Sequence, residues 1–135
     1  MTSIRFWAGA AVAAGLAVIC ACGSKSGGTG PTPSLTCSTL PDTRTILVVN
    51  NAACPQTLTV PRGSQVTFIN NDSRAHEMNS DPHPEHTNCP ELNQVGHLEP
   101  GQSRQTGNLT IARTCGFHDH GQPDNANLQG NIIVH

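Results

Sequence analysis

Ten prolines and thirteen glycines are spread through 135 residues, and no stretch between them keeps apolar residues at helical spacing over three turns. Proline inside a helix removes a main-chain hydrogen bond and clashes with the preceding turn, and an interior glycine weakens helix and strand alike. Short strands joined by tight turns are what such punctuation leaves open, so the chain is expected to be all-β. Candidate strands are residues 45–49, 56–60, 65–70, 75–79, 102–106, 109–115 and 131–134. Between the second and third lies Pro61-Arg62-Gly63-Ser64, where the backbone must reverse. About seven short strands separated by turn signals predict a two-sheet sandwich of roughly 100 residues.

Residues 1–21 hold one basic residue, Arg5, followed by an apolar run of mostly Ala, Val, Leu and Ile that ends in Ile19-Cys20-Ala21-Cys22. The run is shorter than the roughly 20 residues a membrane-spanning helix needs, and it fits a secretory signal. Its end resembles the lipobox of bacterial lipoproteins, because small Ala21 precedes Cys22 whereas bulky Ile19 precedes Cys20. That resemblance implies a signal peptide over residues 1–21, lipidation of Cys22 and an anchor to a membrane on its periplasmic side. No acidic residue follows Cys22 directly, which favours the outer membrane. Residues 22–34 continue as a tether of Gly, Ser, Thr and Pro with a single Lys, a composition with nothing to bury. The folded domain is expected over residues 35–135, exported into an oxidising compartment.

Past the leader, 114 residues carry six basic and nine acidic side chains, a net charge of −3. No basic patch is available to neutralise phosphates, which excludes nucleic acid as a partner. Phe68 and Phe117 are the only aromatic residues left, so the core is aliphatic and small and calls for covalent or metal cross-links. Four cysteines, Cys37, Cys54, Cys89 and Cys115, read first as two disulfides with three connectivities. Cys37 and Cys54 flank the first strand and pair naturally; Cys89 and Cys115 then pair with each other, unless Cys115 is a metal thiolate. Five of seven histidines, His76, His83, His86, His118 and His120, fall in two short segments. Imidazole and thiolate together select copper or zinc, and two His with one Cys and a weak thioether form the electron-transfer copper arrangement.

The run Leu58-Thr59-Val60-Pro61-Arg62-Gly63-Ser64-Gln65-Val66-Thr67-Phe68-Ile69-Asn70-Asn71-Asp72 resembles the cupredoxin stretch that leads into the first copper-binding His, here His76. Leu98-Glu99-Pro100-Gly101-Gln102-Ser103 resembles that family's turn of the form L.PG.S. Thr114-Cys115-Gly116-Phe117-His118, followed by Leu128-Gln129-Gly130-Asn131-Ile132-Ile133-Val134, resembles the ending that carries its remaining ligands. The resemblance covers residues 45–135 and implies a cupredoxin-like Greek-key β-sandwich. It further implies a copper site on His76, Cys115 and His118. His120 is the competing second imidazole, at C-x4-H spacing. Met78, two residues from His76 on one strand face, substitutes for the axial Met that Leu128 replaces.

The segment from His76 to Cys89 packs three His, one Met and three acids into 14 residues. It reads either as a copper-loading loop or as a polar rim, and for His83 and His86 the rim reading leads. His97 and His135 lie outside both clusters and read as solvated. Asp119, between His118 and His120, is placed to accept a hydrogen bond from an imidazole. No Ser, His and Asp spacing suggests a hydrolase, and an enzyme is not expected. The expected function is a membrane-tethered periplasmic cupredoxin that transfers one electron and has a redox-protein partner. The alternatives are a redox-silent copper-binding or delivery protein with His and Met ligands, and a metal-free sandwich stapled by disulfides.

Overall fold

The structure is a computed structural model that describes residues 35–40 and 42–135. The expected signal peptide and tether, with Cys22, fall outside those residues. The described chain runs β1 (Thr45–Val49), β2 (Ala52–Cys54), β3 (Thr57–Val60), β4 (Thr67–Asn70), β5 (His76–Ser80), β6 (Gly96–Leu98), β7 (Ser103–Gln105), β8 (Arg113–Asp119) and β9 (Gly130–Val134). Three single 3₁₀ turns, Cys37–Thr39, Leu92–Gln94 and Ala126–Leu128, complete it. β2 and β6 go beyond the expected seven strands; at three residues each they are too short for an alternating pattern to announce them. Among the described residues, no helix is long and apolar enough to cross a membrane.

One sheet has the order β2-β1-β4-β7 and the other β3-β9-β8-β5-β6. The β1/β4 and β3/β9 pairs are parallel and the remaining pairs antiparallel. Alternation puts one side of each strand into the shared core. Leu58 and Val60 of β3, Ile132 and Val134 of β9, and Cys115 and Phe117 of β8 point inward from the five-stranded sheet. Ile46, Val48 and Phe68 meet them from the other sheet. The two phenylalanines join the layers edge to face, with ring centroids 5.3 Å apart. Gly130, opposite Phe117 in the ladder, leaves room for that ring: a Cβ there would sit 2.5 Å from Phe117 Cζ and 2.2 Å from the Gln56 carbonyl.

β8 differs from expectation, and the difference governs the functional site. The strand expected over residues 109–115, with a turn allowed by Gly116, instead covers Arg113–Asp119 without a bend. Ladders on both sides hold it straight. Cys115 pairs with Ile132, Gly116 with Asn131 and Phe117 with Gly130 across to β9, and His118 pairs with Asn79 and Asp119 with Met78 across to β5.

Candidate metal centre

A straight β8 separates the expected ligands by pleat parity. Cys115, Phe117 and Asp119 point into the sandwich, whereas Gly116 and His118 lie on the opposite face of the sheet. On β5, His76 and Met78 share the inward face. Cys115 and His118 therefore cannot ligate one ion. Cys115 is also about 13 Å along the strand from Asp119, the β8 residue that meets His76, at roughly 3.3 Å per residue.

Each thiol expected to pair is joined. Cys37 bonds Cys54, and Cys89 bonds Cys115 with Cα atoms 5.4 Å apart. With its sulfur in a disulfide inside the core, Cys115 offers no thiolate, and the ligand alternative for it gives way. Met78 is fully buried among apolar neighbours. His76 is occupied at both ring nitrogens: Nδ1 lies 2.6 Å from Asp119 Oδ2 and Nε2 lies 3.3 Å from Asp72 Oδ2. Burial pushes the Asp72 carboxyl up, but the N–H groups of Asn51 and Ser73 and the His76 ring outweigh it and hold the group below its ordinary value. The structure thus assembles an imidazole between two carboxylates where the first copper ligand was expected.

The histidines meet elsewhere. Leaving β5 at Ser80, the chain sends Cys89, Leu92 and Val95 into the core. The same segment brings His83 and His86 beside His118 and His120. One ring nitrogen from each of these four residues lies within 4.8 Å of the others. His118 is buried, His86 and His120 are half-buried and His83 is exposed, so the cluster runs from the sheet surface out to solvent.

The hydrogen bonds fix which His86 nitrogen carries its proton. A carbonyl can only accept, so His86 Nδ1 donates to the Ser80 carbonyl at 2.9 Å, and its Nε2 lone pair faces His120 Nδ1 at 3.0 Å. His118 Nδ1 sits 2.8 Å from Asp81 Oδ1. Its Nε2 is the one buried side-chain nitrogen or oxygen among the described residues with no hydrogen-bond partner. A buried lone pair without a partner costs about 1–3 kcal/mol, and a cation in the cluster would relieve it.

Backbone geometry supports the same site. His86 has φ +55°, in the left-handed region that costs a side-chain-bearing residue about 1–2 kcal/mol. Asn93 holds it there, donating from Nδ2 to the His86 carbonyl at 2.8 Å while its Oδ1 accepts from the Ser80 N–H. Strain of this kind collects at functional positions.

Of the residues singled out in the sequence, the structure gathers His118 and His120 and leaves His76, Met78 and Cys115 apart from them. It adds His83 and His86, which had read as rim residues. Their signal was present as two close pairs, H-x2-H at 83 and 86 and H-x-H at 118 and 120. His97 pairs with Glu99 in solvent and His135 meets the Val60 carbonyl, both outside the cluster.

No protein-family model and no curated relative matches the chain. Solved structures do resemble it. A purple cupredoxin from Nitrosopumilus maritimus superposes with a TM-score of 0.53 at 18% identity, covering 67% of this chain and 98% of that one. An oxidised plastocyanin from Dryopteris crassirhizoma gives 0.53 at 22% identity, over 67% of this chain and 99% of that one. An amicyanin in its reduced form gives 0.54 at 18% identity, over 75% and 90%. Identities this low speak for architecture alone, and together with the two-sheet topology they establish that the described domain has the cupredoxin fold.

Proposed function

We propose that this protein is a copper-binding protein that holds Cu(II) on the imidazoles of His83, His86, His118 and His120, and that it stores or hands over the ion without redox turnover. One observation carries the reading: four imidazoles each place a ring nitrogen within 4.8 Å of the others, and one of the four, His118, has a buried Nε2 without a hydrogen-bond partner. Imidazole suits zinc, copper, iron and nickel, and among divalent first-row ions the affinity order peaks at copper. The fold neighbours include an amicyanin in its Cu(I) form, which supports the choice of copper. Among the described residues the cysteines are joined in disulfides and Met78 lies in the apolar core, so no thiolate or thioether of the kind that selects Cu(I) is placed with the four imidazoles. That favours the redox-silent alternative over one-electron transfer, since the position facing His76 holds Asp119 in place of a thiolate. The four side chains bind and orient the ion, and no step of bond chemistry is assigned to them.

The test is a visible and electron paramagnetic resonance spectrum of the domain loaded with Cu(II). The expected result is about one copper retained per chain, coupled to several nitrogens and only weakly absorbing. An intense thiolate-to-copper band, or no retained copper, would overturn the reading.

We further propose that the domain works from a membrane surface, exported to the periplasm and held by lipid on Cys22. The small Ala21 before Cys22 and the Gly/Ser/Pro tether behind it support this. A fatty-acid analogue should label the wild type and not Cys22→Ala; equal labelling, or wild type in the soluble fraction, defeats it.

A further inference from the structure

We infer that Asp81 is the positioning residue that presents His118 to the metal, and that Gly116 exists at its place to let Asp81 do so. The inference rests on the four-imidazole reading above and adds to it a residue that is not a ligand.

An imidazole can bind a cation only through a nitrogen that carries no proton, so a single neutral ring must be told which nitrogen to leave bare. The usual device is a hydrogen-bond acceptor on the other nitrogen, which fixes both tautomer and ring orientation. His118 needs it most, being 2% exposed and unable to recruit water freely. Asp81 Oδ1, 2.8 Å from Nδ1, supplies it: the carboxylate accepts, Nδ1 keeps the proton, and the lone pair is left on the buried, unpartnered Nε2.

Asp81 is itself held by main chain on both sides. Its N–H donates to the Gly116 carbonyl at 3.0 Å, and its own carbonyl accepts from Asn88 N–H at 2.8 Å. Its carboxylate lies on the bare backbone of Gly116, two residues before His118 on the same face of β8. A Cβ at Gly116 would stand 2.0 Å from Asp81 Oδ2 and 2.9 Å from Asp81 Cγ. Neither distance is tolerable, and the carboxylate is the movable party. Gly116 does not serve to turn the chain, because β8 passes straight through it. Alanine is otherwise preferred to glycine inside a strand, so the absent side chain has its use in the space it leaves.

Two measurements on the full-length protein test this at about pH 8, where free histidine is neutral. The first is nitrogen-15 NMR of the metal-free His118 ring, and the second is competition for Cu(II) against nitrilotriacetate. In the wild type, His118 should carry its proton on Nδ1. Asp81→Ala should move the proton to Nε2 and weaken copper binding about 10- to 100-fold, the range typical of residues that orient ligands. Asp81→Asn keeps an acceptor oxygen and should restore most of both properties. Gly116→Ala, whose added methyl meets Asp81 first, should behave like Asp81→Ala. Wild-type tautomer and affinity in Asp81→Ala would overturn the inference, as would an Nε2-protonated His118 in the wild type. A wild type with the expected tautomer that holds no copper would sink the copper reading and leave the hold of Asp81 on His118 standing.

Discussion

His118→Ala is expected to lower the affinity for Cu(II) by more than about a hundredfold, beyond the range that supporting residues command, while His76→Ala leaves it within about tenfold. The two histidines are equally hidden, each 2% exposed, so burial does not separate them. Their partners do. His76 has both nitrogens on carboxylates, Asp119 and Asp72, whereas His118 has one nitrogen on Asp81 and the other on nothing. Removing His76 leaves two buried or half-buried carboxylates without the ring that lies between them, a loss of about 1–3 kcal/mol in stability. Removing His118 takes away the innermost of the four proposed ligands, and the remaining three imidazoles all sit nearer to solvent. Thermal melts and chelator competition on both variants give a crossed pattern: stability falls most in one, copper in the other. If His76→Ala lost its copper while His118→Ala retained it, the site would have to be moved to the interior of the sandwich.

The second large effect belongs to the Cys89–Cys115 bridge. Its sequence separation is 26, for which loop closure predicts a loss of about 3.5 kcal/mol when both cysteines become alanine. For a domain of roughly 100 residues that lowers the melting temperature by about 15 °C or more. The bridge also ties the segment bearing His83 and His86 to the strand bearing His118, so the same double variant should bind copper more weakly. Cys37–Cys54 is the control. With a separation of 17 it contributes nearly as much stability, about 3 kcal/mol, and its sulfurs join residues beside β1 that take no part in the histidine cluster. Both double variants should melt earlier, and only the first should lose copper affinity as well. Equal copper binding in the two, measured below both melting temperatures, would show that the bridge has no part in holding the site.

Much of the architecture was legible before any coordinates. The Pro and Gly punctuation with alternating runs such as Thr57-Leu58-Thr59-Val60 carried the sandwich, because period-two burial is a local property that neighbouring residues express directly. The pairing of Cys37 with Cys54 followed from two loops flanking one strand. The histidines of the eventual cluster were visible as two pairs. That His83 and His86, and not His76, are the partners of His118 and His120 was not visible, because the two pairs meet by a loop closure of about 30 residues that no local pattern encodes.

The choice of ligands turned on parity. In a strand, successive side chains point to opposite faces, so three residues of separation in an unbroken strand put Cys115 and His118 on opposite sides, and a turn at Gly116 would have been required to reunite them. Whether Gly116 turns depends on whether β9 keeps its ladder through it and β5 pairs with the strand from the next residue on, and both do. The composition of the chain and its spacing of turns were enough for an all-β sandwich with a Cys37–Cys54 bridge and a histidine-rich end, while the choice between a Cys89–Cys115 bridge and a Cys115 thiolate waited for the structure. Which imidazoles come together was decided by long-range strand pairing and by the loop that follows β5, because the face on which a side chain emerges belongs to the sheet as a whole and not to the residues beside it.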